Sequence, residues 1–125
     1  MAKTLSTILG IGFILVGIAG FVAPGLLGMH LTIGHNLVHL ISGALALYFG
    51  LAGTVGAART FCLVFGAVYL LLGLAGIVAG DGEARLLTVI PGDLMFGMPD
   101  HIVHVLLGAL FLIGGFTTRA AVSRA

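Results

Sequence analysis

The sequence predicts an all-α membrane protein, a single integral domain over residues 1–125 with four transmembrane helices. The helices are read as two parallel helical-hairpin repeats about a pseudo-twofold axis along the membrane normal. Three observations carry this reading. The 125-residue chain is 60% hydrophobic and only 7% charged, against about 25% charged in soluble domains, and its mean hydropathy is +1.29. Apolar runs long enough to cross a bilayer lie at about 5–22, 35–52, 60–79 and 101–117, and the segments between them hold the charges and all three prolines. Glycine and histidine patterns in the first half recur in the second at fixed spacings.

A crossing needs about 20 residues, so four crossings use most of the chain and leave no room for a soluble catalytic domain. Hydrocarbon offers free amides no water, and the runs lack the alternation of barrel strands, so the spans are helices. A net charge of +1 gives no reason to expect a nucleic-acid partner. The only cysteine, Cys62, has no intramolecular disulfide partner and reads as a small apolar residue.

Span one follows Lys3 and has the outline of a signal peptide, but its counterpart in span three argues that it stays in the protein. Span two carries His35 and His39 at its start, and then Gly43, Ala46 and Gly50 along one face. Span three carries the Gly76/Gly80 pair, whose spacing suits close helix packing. The segment 81–99 mixes an apolar patch, Leu86-Leu87-Thr88-Val89-Ile90, with turn signals at Pro91-Gly92 and Pro99. It is expected to lie along the interface, to pack on the bundle rim, or to fold over the histidines as a lid. Pro99 before Asp100 suits the start of span four, with Asp100 as an N-cap carboxylate. Lys3, Arg59, Arg119 and Arg124 fall on one side of the membrane, which the positive-inside rule makes cytoplasmic. The acids Asp81, Glu83, Asp93 and Asp100, with Arg85, fall on the other. Both termini are thus expected in the cytoplasm.

The repeat is explicit in the residues. Gly10, Gly17 and Gly20 recur as Gly66, Gly73 and Gly76, a spacing of 56. His39-Leu40-Ile41-Ser42-Gly43-Ala44-Leu45 recurs as His104-Val105-Leu106-Leu107-Gly108-Ala109-Leu110, a spacing of 65. Two crossings per half make the halves parallel, with His39 and His104 at one depth.

Gly17-Ile18-Ala19-Gly20-Phe21, His35-Asn36-Leu37-Val38-His39 with Gly43, and Asp100-His101-Ile102-Val103-His104 with Gly108 resemble the small four-helix bacterial membrane proteins catalogued as domain of unknown function, number 4383. The resemblance covers about residues 10–116 and implies the four-helix architecture and a membrane location, but no activity. At position 101 that pattern would have asparagine, and this chain has histidine.

All five histidines, His30, His35, His39, His101 and His104, fall at or near the outer ends of spans two and four. His35 and His39 share a helical face, as do Asp100 and His104. At 1.5 Å per residue, His39 and His104 are expected roughly 6 Å inside their helix starts, where ionisable groups mark function or a partner. One reading is a hydrogen-bonded network of His35, Asn36, Asp100 and His104 that joins the two halves. A second is a metal site of His35, His39, Asp100, His101 and His104, a nitrogen and oxygen set suited to zinc or copper, with Met29, Met95 and Met98 nearby favouring copper. A third is a haem-binding or redox subunit with His39 and His104 as axial ligands, and with Gly43 and Gly108 leaving room for the ring.

No serine, threonine or cysteine pairs with a histidine for nucleophilic catalysis, so the chain does not read as an enzyme. Polar residues stop near Ser42, apart from Tyr48 and Tyr69, so a transporter would require an oligomer with those three residues on a common axis. The sequence therefore predicts a small accessory or assembly protein with an outer His/Asp cluster and a bound metal ion as its sharpest site hypothesis. Its partners would be the bilayer and a second copy or a larger membrane complex.

Overall fold

Four helices account for most of the structure, a computed structural model that describes residues 1–25, 31–83, 85–90 and 93–118. Met29, His30, the Pro91-Gly92 turn, Arg119 and Arg124 lie outside the described residues. Helix α1 spans Ala2–Val22, α2 Ile33–Leu51, α3 Val55–Ala79 and α4 Met98–Thr117. Their 21, 19, 25 and 20 residues extend about 28 to 38 Å, and each is long and apolar enough to cross a membrane. Residues that face outward are large and apolar, such as Ile11 and Leu15 on α1, Ile41 on α2, Leu71 on α3 and Leu106 on α4.

All four helices begin earlier than the apolar runs suggest, and caps rather than hydropathy set the starts of α2, α3 and α4. The Thr32 hydroxyl accepts from the His35 N–H at 3.3 Å, and the Thr54 hydroxyl from the Ala57 N–H at 3.0 Å. Each satisfies an orphan donor of the first turn. Arg59 consequently lies within α3, not in the loop before it. In α4, Asp100 is not the N-cap. It sits in the third helical position, and its Oδ2 accepts from the N–H of the cap residue Gly97 at 2.8 Å, with Pro99 in the first turn.

The most extensive packing joins α1 to α2 and α3 to α4, although the shortest connection, Ala52–Thr54, links α2 to α3. Glycines set the closeness. A Cβ at Gly10 would lie 3.0 Å from the Leu47 nitrogen, and one at Gly43 would lie 2.9 Å from the Gly10 oxygen. In the other pair, a Cβ at Gly66 would lie 2.8 Å from the Leu112 nitrogen, and one at Gly108 would lie 2.8 Å from the Gly66 oxygen. Such contacts let backbones approach where lipid supplies no hydrophobic drive.

Between the two pairs, contact is thinner and largely aromatic. Phe13 of α1 stacks on Phe111 of α4 at 6.2 Å and lies 5.5 Å from Tyr69 of α3, while Phe49 of α2 stacks on Phe61 of α3 at 5.0 Å. At the terminal end, the Ala2 N–H donates to Thr118 Oγ1 at 2.8 Å, and Arg59 Nε donates to the Thr118 carbonyl at 3.1 Å. Cys62 is buried there and makes a weak bond to the Ala2 carbonyl at 3.7 Å.

The segment after α3 is not purely irregular. Strands β1 (Leu87–Ile90) and β2 (Leu94–Phe96) pair antiparallel with Leu87 opposite Phe96, and a register irregularity falls between Thr88 and Ile90. The β-branched Thr88, Val89 and Ile90 favour this pleated conformation. The helical reading thus holds for the spans, and a small two-stranded ribbon joins α3 to α4.

Candidate functional site

His35 is the third residue of α2, and His39 follows one turn later on the same face. Both helix starts lie upstream of the apolar runs, so His39 and His104 each sit six residues into their helices. That is about 9 Å from the start, deeper than the sequence alone suggests. The His35 ring centroid is 4.3 Å from that of His39 and 6.1 Å from that of His104. All three residues are buried. Three of the predicted site residues therefore share one place, a layer of imidazoles between α2 and α4.

The ribbon covers this layer. Phe96 is buried and sets its ring edge against His35 at 4.8 Å and against His104 at 4.9 Å. Tyr69 closes the layer on the α3 side, 5.6 Å from His104, and Phe13 on the α1 side, 5.8 Å from His39. Asp93 anchors the ribbon to α2. Its Oδ1 accepts from the Gly34 N–H at 3.0 Å, and its backbone carbonyl accepts from the Thr32 hydroxyl. A carboxylate at a helix N-terminus also complements the helix dipole. The loop-over-cluster arrangement thus rests on Asp93 and Phe96, neither of which the histidine spacing points to. The signal available for them was a lone aromatic and a lone acid in a short segment after Pro91-Gly92.

His101 and Asp100 have other work. His101 is fully buried and faces α3, where a Cβ at Gly76 would run into its ring. Its Nε2 bonds the Arg85 carbonyl at 2.5 Å. A carbonyl only accepts, so that nitrogen carries the hydrogen. Asp100 caps α4 as described. The five-residue set read from the sequence is therefore not one ligand sphere, because two members are turned toward local backbone groups. Among the described residues, no group of three or more His, Cys, Asp or Glu side chains is arranged to hold a metal ion.

The glycines expected to make room for a haem are occupied by neighbouring chain. Gly43 lies against Ile14 and the Gly10 carbonyl, and Gly108 against Leu70 and the Gly66 carbonyl. The residues expected on a transport axis are also separated. Ser42 and Tyr69 are buried and bond each other at 3.2 Å across α2 and α3, while Tyr48 is 61% exposed on the outer face.

The layer still carries unspent hydrogen-bonding capacity. Nδ1 of His39, Nδ1 of His104, Nδ1 of His101 and Oδ1 of Asn36 are buried with no hydrogen-bond partner. An unsatisfied buried polar atom costs about 1–3 kcal/mol. What the site can do chemically is donate or accept single hydrogen bonds, or offer imidazole lone pairs, in a water-poor aromatic enclosure.

No curated protein and no solved structure matches the chain. A family model described as domain of unknown function (DUF4383) matches residues 3–117. The four apolar helices and the motifs around His39 and His104 lie within that match, and the chain belongs to the DUF4383 family.

Proposed function

We propose that this chain is a small, non-catalytic accessory or assembly protein of the bacterial inner membrane. It would have both termini in the cytoplasm and act through its helix faces on a second copy or a larger membrane complex. The observation that carries this is the sorting of side chains: the outward faces of all four helices are apolar, and the buried polar groups cluster inside the bundle. Among the described residues, only a two-stranded ribbon accompanies the helices. Lys3 and Arg59 at one end, with Asp81, Glu83 and Asp93 at the other, support the orientation.

The reading includes two hairpin repeats about an axis along the membrane normal. In its support, glycine contacts correspond at the sequence spacings of 56 and 65. Gly10 against Leu47 matches Gly66 against Leu112, Gly17 against Leu40 matches Gly73 against Val105, and Gly20 against Asn36 matches Gly76 against His101. In this arrangement His35, His39 and His104 fasten the two repeats to each other. Site-directed photocrosslinking from Leu106 and Leu71 in intact membranes tests the accessory role. A discrete protein adduct from one of these faces is expected, and adducts to lipid alone from both overturn it.

The unpartnered Nδ1 atoms of His39 and His104 favour a second reading, in which these two imidazoles take up a copper or zinc ion. Elemental analysis of protein purified without chelator separates the two. Near-stoichiometric metal that disappears in a His39→Leu/His104→Leu double variant supports the ion. Lower thermal stability of that variant, with metal at background in both proteins, supports the fastening role.

A further inference from the structure

The connection between α3 and α4 divides into a fixed root and a lighter tip. The root is closed on itself, because Asp81 and Leu86 exchange backbone bonds of 3.0 and 2.9 Å and the Arg85 N–H donates to the Gly82 carbonyl at 3.2 Å. It is also pinned to α4, since His101 holds the Arg85 carbonyl, and Gly80 lies against that carbonyl with no room for a Cβ. Arg85 takes a left-handed φ of 52°, a conformation that a side-chain-bearing residue keeps only where its surroundings enforce it.

The tip, strands β1 and β2, is held differently. Thr88, Val89 and Ile90 are exposed, and a two-stranded ribbon is at best marginally stable alone in water, so its place depends on what it grips. Phe96 rests on His35 and His104, and Asp93 grips the start of α2. The Gly34 N–H donates to Asp93 Oδ1 at 3.0 Å, and the Thr32 hydroxyl donates to the Asp93 carbonyl. This grip is shaped to one residue, because a Cβ at Gly34 would run into the Asp93 carboxylate.

Lifting the tip breaks no bond within a helix. The Gly34 N–H is a first-turn amide with no partner inside α2. Thr32 keeps its bond from the His35 N–H, and α4 keeps the bond between Gly97 and Asp100. Gly97 stands between Phe96 and α4, and residues at element ends of this kind absorb the backbone rotation of a hinge.

We propose that β1 and β2 form a latched lid over the histidine layer, with the Asp93 carboxylate in the Gly34 notch as its latch, Phe96 as its plug and Gly97 as its hinge. Its release opens His35 and His104 to solutes at the end of the bundle opposite the termini. The lid goes beyond the accessory role, and it stands whether the layer fastens the repeats or takes up an ion.

Hydrogen exchange of the whole chain in lipid nanodiscs asks first whether the lid moves alone. The amides of β1, β2 and Gly34 are expected to exchange together at a rate that mild denaturant leaves unchanged, while the interior amides of α2 and α4 stay protected. Gly34→Ala then fills the notch with a better helix former, so that the latch is expelled and α2 is kept. Diethylpyrocarbonate is expected to modify His35 and His104 at least about tenfold faster than in the wild type, with His101, under the pinned root, still unmodified. Asp93→Ala, which removes the latch and leaves the sequence of α2 untouched, should give the same pattern. Exchange of the strands only in step with the helix interiors, unchanged labelling of His35 and His104 in both variants, or modification of His101 together with them overturns the lid.

Discussion

The pairs α1–α2 and α3–α4 solve one packing problem with different side chains. In the first, Asn36 lies over Gly20, and its Nδ2 donates to the Leu31 carbonyl in the connection just before α2. In the second, His101 lies over Gly76 and donates to the Arg85 carbonyl in the connection before α4. Each pair thus seats a buried polar group in a glycine notch and satisfies one of its donors with a carbonyl of its own connection. The larger ring needs a carbonyl set farther out, and the longer second connection supplies one. It also carries Phe96 over the histidine layer, and the short first connection has no described counterpart to that aromatic. Both pairs use glycine notches, and among the described residues only the second connection brings an aromatic ring onto the histidines.

The comparison is broken most severely at the backbone contacts. Gly108→Leu and Gly43→Leu each push a side chain into a neighbouring helix backbone, and both are expected to cost about 3 kcal/mol or more. Equilibrium unfolding in mixed micelles measures this, and a large loss in only one variant would mean that the two pairs do not share their packing. Phe96→Ala removes the ring from His35 and His104 and should cost about 2–4 kcal/mol. It should also make both histidines reactive to diethylpyrocarbonate, which mass spectrometry of the modified peptides reads directly.

His101→Asn gives the second pair the residue type of the first. Asparagine is too short to reach the Arg85 carbonyl that His101 now bonds, so a loss of about 1–2 kcal/mol is expected. Faster amide exchange confined to residues 81–97 would locate it. The smallest effect belongs to Asp93→Asn, which keeps an acceptor for the Gly34 N–H but removes the charge from the α2 terminus. About 0.5–1 kcal/mol is expected, and unchanged stability in high salt for both forms would show that the charge contributes nothing.

The sequence made the four spans legible because hydrocarbon imposes length and apolarity on every crossing. The misplaced starts of α2, α3 and α4 have one cause. Thr32, Thr54 and Asp100 satisfy first-turn amides, and capping of this kind leaves no trace in a hydropathy count. The pairing of His35 with His39 follows from helical spacing, whereas the approach of His104 to His35 depends on how α4 packs against α2. The separation of His101 was not readable, because it depends on the notch at Gly76 and on the position of the Arg85 carbonyl, which the fold brings together from residues far apart in sequence. Phe96 and Asp93 were hidden for a related reason. A ribbon four and three residues long takes its place from contacts with α2 and α4, not from its own periodicity.

The bond from Ala2 to Thr118 has a consequence for how the chain can be rewired. The first and last helices end side by side, at the same end of the bundle as the connection Ala52–Thr54 between α2 and α3. A short flexible linker joining the two termini, with the chain reopened at Gly53, would give a circular permutant that runs α3, β1, β2, α4, α1, α2. Neither tightly packed pair would be cut, and the new ends would emerge on the same side as the old ones. The order in which the two pairs leave the ribosome would be reversed while every helix kept its direction across the bundle.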